Sequence, residues 1–181
     1  MKQTIRIIGG LYRGKKLQFP EVEGLRPTPD RVRETVFNWL MNHVRNARCL
    51  DAFAGSGALG FEAFSRGAAE VVFIEQSLTA STNLGRIIKE FDTTQLKLVK
   101  ADSLLYLKQQ PQAFDIIFLD PPYALNYIPE CLDLIEQNSL LKDSGLIYYE
   151  SASTLEINTE YWQEIKAKKA GQVYYGLLQK R

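Results

Sequence analysis

The chain has 181 residues, 45% of them hydrophobic and 24% charged. That length suits one packed domain, expected over residues 1–181, and no apolar run approaches the roughly 20 residues that a helix needs to cross a bilayer. The net charge of +1 hides an uneven split: residues 1–33 hold eight basic and three acidic side chains, a net +5, which leaves −4 for the rest.

Thr4–Ile8 and Lys15–Phe19 are short alternating runs separated by Gly9-Gly10 and Gly14, the pattern of a β-hairpin. Arg26-Pro27-Thr28-Pro29-Asp30 is an extended linker stiffened by two prolines, and Thr28 or Asp30 is placed to cap the helix that follows. That helix is expected from Arg31 to about Val44, with Val32, Val36, Phe37 and Leu40 on one face. Residues 1–28 therefore read as a basic hairpin and linker, and residues 29–181 as the main fold. A basic leading segment on a mildly acidic body points to a polyanionic partner.

From Arg48 onward strands and helices alternate. Strands are expected at Cys49–Phe53, Glu70–Glu75, Leu96–Val99, Ala113–Leu119 and Gly145–Glu150. Helices are expected at Leu59–Arg66, about Thr79 to Glu90, Leu104–Lys108 and Ile128 to Asn138. Trp162–Lys169 and Gln172–Leu178 read as a closing hairpin hinged at Ala170-Gly171. Such alternation predicts an α/β fold: a Rossmann-like, doubly wound, mostly parallel sheet with an antiparallel C-terminal hairpin. Trp39, Trp162, Tyr148, Tyr149, Tyr174 and Tyr175 read as packing residues.

Candidate chemistry gathers at the ends of the expected strands. After the first strand comes Asp51-Ala52-Phe53-Ala54-Gly55-Ser56-Gly57-Ala58-Leu59-Gly60, whose Gly55, Gly57 and Gly60 satisfy G-x-G-x-x-G. Glycines let the backbone approach a ligand closely. Glu75 ends the second strand and suits a ribose; Asp102 ends the third and suits an adenine amine. The pattern fits a nicotinamide dinucleotide or S-adenosylmethionine. Asp51 and Phe53 favour the second, because a carboxylate there repels a pyrophosphate and accepts from an ammonium group, and an aromatic ring suits a tight phosphate cradle poorly. After the fourth strand comes Asp120-Pro121-Pro122-Tyr123. Two prolines form a stiff corner without N–H donors, Asp120 adds an acceptor, and Tyr123 adds a stacking face, a clamp for a planar ring with an exocyclic amine. Cys49 and Cys131 lack metal-type spacing and His43 is the single histidine, so no metal is expected and the setting reads as reducing. The N-terminus runs into glycine and charge rather than a signal-peptide core, which adds to the expectation of a cytoplasmic location.

Arg6-Ile7-Ile8-Gly9-Gly10, Arg13-Gly14-Lys15, Arg26-Pro27-Thr28, Asp30–Glu34, Asp51–Gly57 and Asp120–Tyr123 together resemble the bacterial RsmD family of class I S-adenosylmethionine-dependent methyltransferases. The resemblance spans essentially the whole chain. It implies transfer of a methyl group to the 2-amino group of one guanine in 16S ribosomal RNA, within a small-subunit particle, by a monomer. It also implies that Asp51, Phe53, Gly55, Gly57, Glu75 and Asp102 bind the cofactor. Asp120, Pro121 and Tyr123 would hold the guanine, and the basic segment (Arg6, Arg13, Lys15 and Arg26) would hold RNA. A DNA adenine-amino methyltransferase and a non-catalytic nucleic-acid-binding assembly factor are the alternatives.

Overall fold

The structure, a computed structural model, describes residues 2–20, 27–122 and 125–181. In chain order the elements are β1 (Lys2–Arg6), β2 (Lys16–Pro20), α1 (Asp30–Trp39), β3 (Arg48–Asp51), α2 (Ala58–Ser65), β4 (Glu70–Ile74) and α3 (Leu78–Glu90). They continue with β5 (Leu96–Val99), α4 (Ser103–Gln109), β6 (Phe114–Leu119), α5 (Ile128–Gln137), β7 (Leu141–Ser151), β8 (Trp162–Ala170) and β9 (Val173–Lys180).

The seven strands β3–β9 form one sheet in the order β5-β4-β3-β6-β7-β9-β8. From β5 to β7 all pairings are parallel, whereas β9 runs antiparallel to both β7 and β8. The C-terminal hairpin therefore enters with its second strand innermost. The central strands are apolar along their length because both faces are covered. Cys49, Phe73, Ile116, Phe118 and Tyr148 pack into one core layer with Phe37 of α1 and Phe61 of α2. Leu50, Val72, Ile117, Leu119 and Tyr149 pack into the opposite layer with Cys131, Leu132 and Ile135 of α5. This two-residue alternation continues past the apolar runs, and it puts Asp51, Asp120 and Glu150 on the α1–α2 side.

Strands β1 and β2 form a separate antiparallel pair. Ile5, Ile7, Leu17 and Phe19 are buried in the α1–α2 core layer, so the hairpin belongs to the hydrophobic core rather than projecting from it. A buried polar network fastens it. Glu62 of α2 accepts from Ile8 N (2.9 Å) and Arg33 Nη1 (3.4 Å) with one carboxylate oxygen. The other oxygen accepts from Gly9 N (2.9 Å) and Arg66 Nε (2.7 Å). Arg33, itself buried, donates further to the carbonyls of Arg6 (3.1 Å) and Thr28 (3.2 Å) and to Asp30 (2.6 Å).

Three expectations are corrected. Helix α1 ends at Trp39, well before Val44, because residues 40–47 continue as turns closed by His43 N to Leu40 O and Ala47 N to Val44 O. Leu40 and Val44 still point into the core, so apolar recurrence persisted after the helix stopped. Neither Thr28 nor Asp30 caps α1: the N-cap is Pro29, and both side chains serve other partners. Strand β7 begins at Leu141, with a register shift against β6 between Phe114 and Ile116 that absorbs the extra polar residues Lys142-Asp143-Ser144.

Replacing Glu62 with Ala removes the acceptor for two hairpin amides and leaves the buried Arg33 with Asp30 as its remaining carboxylate partner. The loss should be about 3–5 kcal/mol by chemical denaturation, with early loss of amide protection at Ile8 and Gly9.

Candidate active site

Parallel strands deliver their C-terminal ends to one edge of the sheet, and ligands of open α/β sheets bind there. Asp51 ends β3, Glu75 follows β4, Asp102 follows β5, Asp120 follows β6 and Glu150 lies near the end of β7. The glycine loop opens between β3 and α2. Gly55 and Gly57 have φ of 53° and 79°, the left-handed region where a side chain is strained. A Cβ at Gly57 would stand 2.4 Å from the Phe61 ring, and one at Gly60 2.3 Å from the Phe73 ring. Gly57 thereby lets the loop lie against the first turn of α2, and Gly60 lets that turn lie against β4. Phe53 lies half-buried beside it, stacked on Tyr127 at 6.3 Å.

The acids do structural work as well. Asp51 is buried and accepts from Gly60 N (3.0 Å), which ties the strand end to α2. Glu75 accepts from Gly55 N (2.8 Å) with one oxygen and from Ser77 N (2.7 Å) with the other. It therefore clamps the glycine loop to the end of β4. Asp102 is the N-cap of α4 and accepts from Leu105 N at 3.0 Å.

Behind the Asp-Pro-Pro corner lies a cluster that the sequence did not reveal. Thr28 Oγ1 donates to Glu150 Oε1 at 2.7 Å and stands 3.4 Å from Asp120 Oδ2. The Tyr148 hydroxyl donates to the same Glu150 oxygen at 2.8 Å. Three carboxylates, Asp51, Asp120 and Glu150, thus share one buried corner. Burial, then Glu150, then Asp51 push Asp120 well above the usual carboxylate range, against a smaller opposing effect of the Thr28 hydroxyl. Burial first, and Glu75 further down, raise Asp51 to about 7 although the Gly60 amide works the other way. The Tyr148 phenol is raised too, by burial and by Glu150.

Of the residues expected to form the site, Asp51, Phe53, Gly55, Gly57, Glu75, Asp102, Asp120 and Pro121 meet along this edge. Tyr123 and Arg26 lie outside the described residues. The basic segment is less uniform than its composition implied. Arg6 and Arg13 are exposed, but Lys15 is paired with Glu90 (3.4 Å) and lies over the Phe91 ring. The hairpin tip docks at the far end of α2, where Ser65 accepts from Leu11 N and Tyr12 N. That is about 12 Å along the helix axis from the glycine loop.

A family model described as Conserved hypothetical protein 95 matches residues 5–179. The chain is 44% identical to Ribosomal RNA small subunit methyltransferase D of Haemophilus influenzae, across 98% of this chain and 95% of that protein. It is 43% identical to the protein of the same name from Escherichia coli K12, across 97% and 90%. This chain belongs to the RsmD methyltransferase family. Its fold is that of a solved structure, the putative methyltransferase yhhF from Escherichia coli, with a TM-score of 0.91 at 42% identity over 99% of both chains.

Asp51 also makes the site testable without any ligand. A folded value of about 7 against an ordinary 3.8 means that the folded state holds this proton more tightly than the unfolded chain. Stability from this group is therefore lost as pH rises between those values. Asp51→Asn keeps an acceptor for Gly60 and removes the titration. Its stability relative to wild type should rise by a few kcal/mol from about pH 4 to 7 and then level off, as read by denaturant melts across pH.

Proposed function

We propose that this protein transfers a methyl group from S-adenosylmethionine to the exocyclic 2-amino group of a guanine in small-subunit ribosomal RNA. The observation that carries the reading is the Asp120-Pro121 acceptor corner standing beside a glycine loop among buried carboxylates. The names of the relatives support ribosomal RNA of the small subunit as substrate class. The residues present fit this cofactor. The glycine cradle leaves no room for a Cβ, and the acids around it suit a ligand with cationic and hydroxyl groups and oppose a pyrophosphate.

In this reading Asp51 and the loop to Gly57 hold the methionine end, with Phe53 lining it. Glu75 accepts from ribose hydroxyls while keeping its two backbone amides, since each carboxylate oxygen has two lone pairs. Asp102 turns its second oxygen to the adenine edge, the first being used to cap α4. The cofactor supplies an electrophilic methyl carbon on a sulfonium. The remaining tasks fall to the chain. A guanine amine is a poor nucleophile because its lone pair is delocalised into the ring. Asp120 and the Pro121 carbonyl accept its two hydrogens and favour a pyramidal nitrogen directed at the methyl carbon. Leu125 N–H closes the corner on the Pro122 carbonyl (2.9 Å), which leaves the Pro121 carbonyl to the substrate. Tyr123 stacks on the base, which must first leave its stack in the RNA. With the cofactor bound, methyl transfer would leave positive charge on the amine nitrogen, and Asp120 is placed to face it. The Asp120 carboxylate, whose proton affinity is raised by burial and by Glu150, would then take the surplus proton. Arg6, Arg13, Lys15 and Arg26 would bind RNA beyond the target nucleotide.

Asp120→Ala should lower transfer of labelled methyl to 16S ribosomal RNA or its particle by at least about a hundredfold, with cofactor affinity nearly unchanged. Loss of cofactor binding in this variant, or methylation of naked DNA in preference to ribosomal RNA, would contradict the assignment.

A further inference from the structure

We propose that Thr28 is a positioning residue for the transfer: held through its hydroxyl by Glu150 and through its carbonyl by Arg33, it sets where the Asp120 carboxylate stands. The inference rests on the reading of Asp120 as the acceptor of the guanine amine. Thr28 lies between Pro27 and Pro29 in the linker before α1, so its backbone has little freedom. Its side chain is buried, unusual for a threonine in a linker, and its hydroxyl carries a single hydrogen. That hydrogen goes to Glu150 at 2.7 Å, which turns the oxygen toward Asp120 Oδ2 at 3.4 Å.

The arrangement serves both charge states of Asp120. Protonated Asp120 donates to Thr28 Oγ1, and ionised Asp120 draws on the hydroxyl hydrogen otherwise given to Glu150. Without the hydroxyl, Asp120 loses the group that its ionised form draws on and its carboxyl is free to swing away. Asp120 faces Glu150 and Tyr148 from β7, Asp51 from β3 and Thr28 from the linker; among the described residues no lysine or arginine pairs with it. Arg33 fixes the other side of Thr28, joining its carbonyl (3.2 Å) to that of Arg6 in β1 (3.1 Å). The basic hairpin and the acceptor corner are thus linked through one buried guanidinium.

The test compares Thr28→Val, which keeps the branched shape, with Thr28→Ser, which keeps the hydroxyl. Thr28→Val should lower kcat about ten- to a hundredfold, with the KM for ribosomal RNA and cofactor affinity changed little. The acid limb of its rate profile should move to higher pH, because the hydroxyl favours the ionised form of Asp120. The carboxyl carbon shift of Asp120 in the protein without cofactor should titrate with a midpoint moved the same way. Thr28→Ser should restore both. Unchanged kcat in Thr28→Val, equal damage in Thr28→Ser, or a fall in kcat and melting temperature with an unmoved midpoint each overturns the proposal. If Thr28→Val does not fold, Glu150→Gln removes the facing charge and keeps an anchoring oxygen. The Asp120 midpoint should then fall, and an unmoved midpoint again overturns the proposal. Wild-type protein inactive on ribosomal RNA, or indifferent to Asp120→Asn, would sink the acceptor reading itself. Activity that depends on Asp120 but not on Thr28 would sink only this inference.

Discussion

Like charges crowded into a corner of low polarity cannot all ionise, and that constraint governs this site. Asp51, Asp120 and Glu150 lie at the ends of three adjacent parallel strands, with Glu75 next to them across the glycine loop. Among the described residues, Asp51, Glu75 and Asp120 pair with no lysine or arginine. Burial and neighbouring carboxylates favour the protonated forms of Asp51 and Asp120 until a ligand with positive charge or good donors arrives. An ammonium, a sulfonium and an amine are such groups; a pyrophosphate is not.

The sheet creates this crowding by its period. Side chains alternate between faces, so the residues in register with Cys49, Phe118 and Tyr148 at the strand ends fall on the α1–α2 side. The same side receives the linker that carries Thr28, and the linker is held there by Arg33 and Glu62. A buried ion pair is seldom a net gain in stability, because removing both charges from water costs about as much as their attraction returns. Its use here is register: it ties backbone atoms of residues 6, 8, 9 and 28 to two helices at fixed places.

Much of this was legible in the residues. Glycines at positions 55, 57 and 60, acids at four strand ends and the stiff Asp-Pro-Pro corner are local signals, and local signals survive folding. The mostly parallel sheet and its antiparallel end followed from the alternation of elements, whereas the order of the strands emerges only in the folded sheet. What could not be read was long-range. Thr28 looked like a helix cap because the polar residue before an apolar run usually is one, yet its hydroxyl found a partner 122 positions away. Glu150 gave no signal beyond ending the run Leu146–Tyr149, and its place beside Asp120 emerges only when β6 and β7 pair. The basic segment misled in a different way: charge counts do not reveal that Lys15 is engaged with Glu90 and Phe91. Likewise Glu75 and Asp102 turned out to hold backbone amides of the loop and of α4, tasks that spacing alone does not distinguish from ligand contacts.

Proton release on cofactor binding tests the account most directly. Calorimetric titration with S-adenosylmethionine at pH 6.5, where the cofactor's amino group is already charged, should be run in buffers of different ionisation enthalpy. Carboxylates that share protons in the free protein must give them up to meet a cation. Net release to the buffer is therefore expected, shrinking in Asp51→Asn and fading above pH 8. A binding enthalpy indifferent to the buffer, or net proton uptake, would contradict the account.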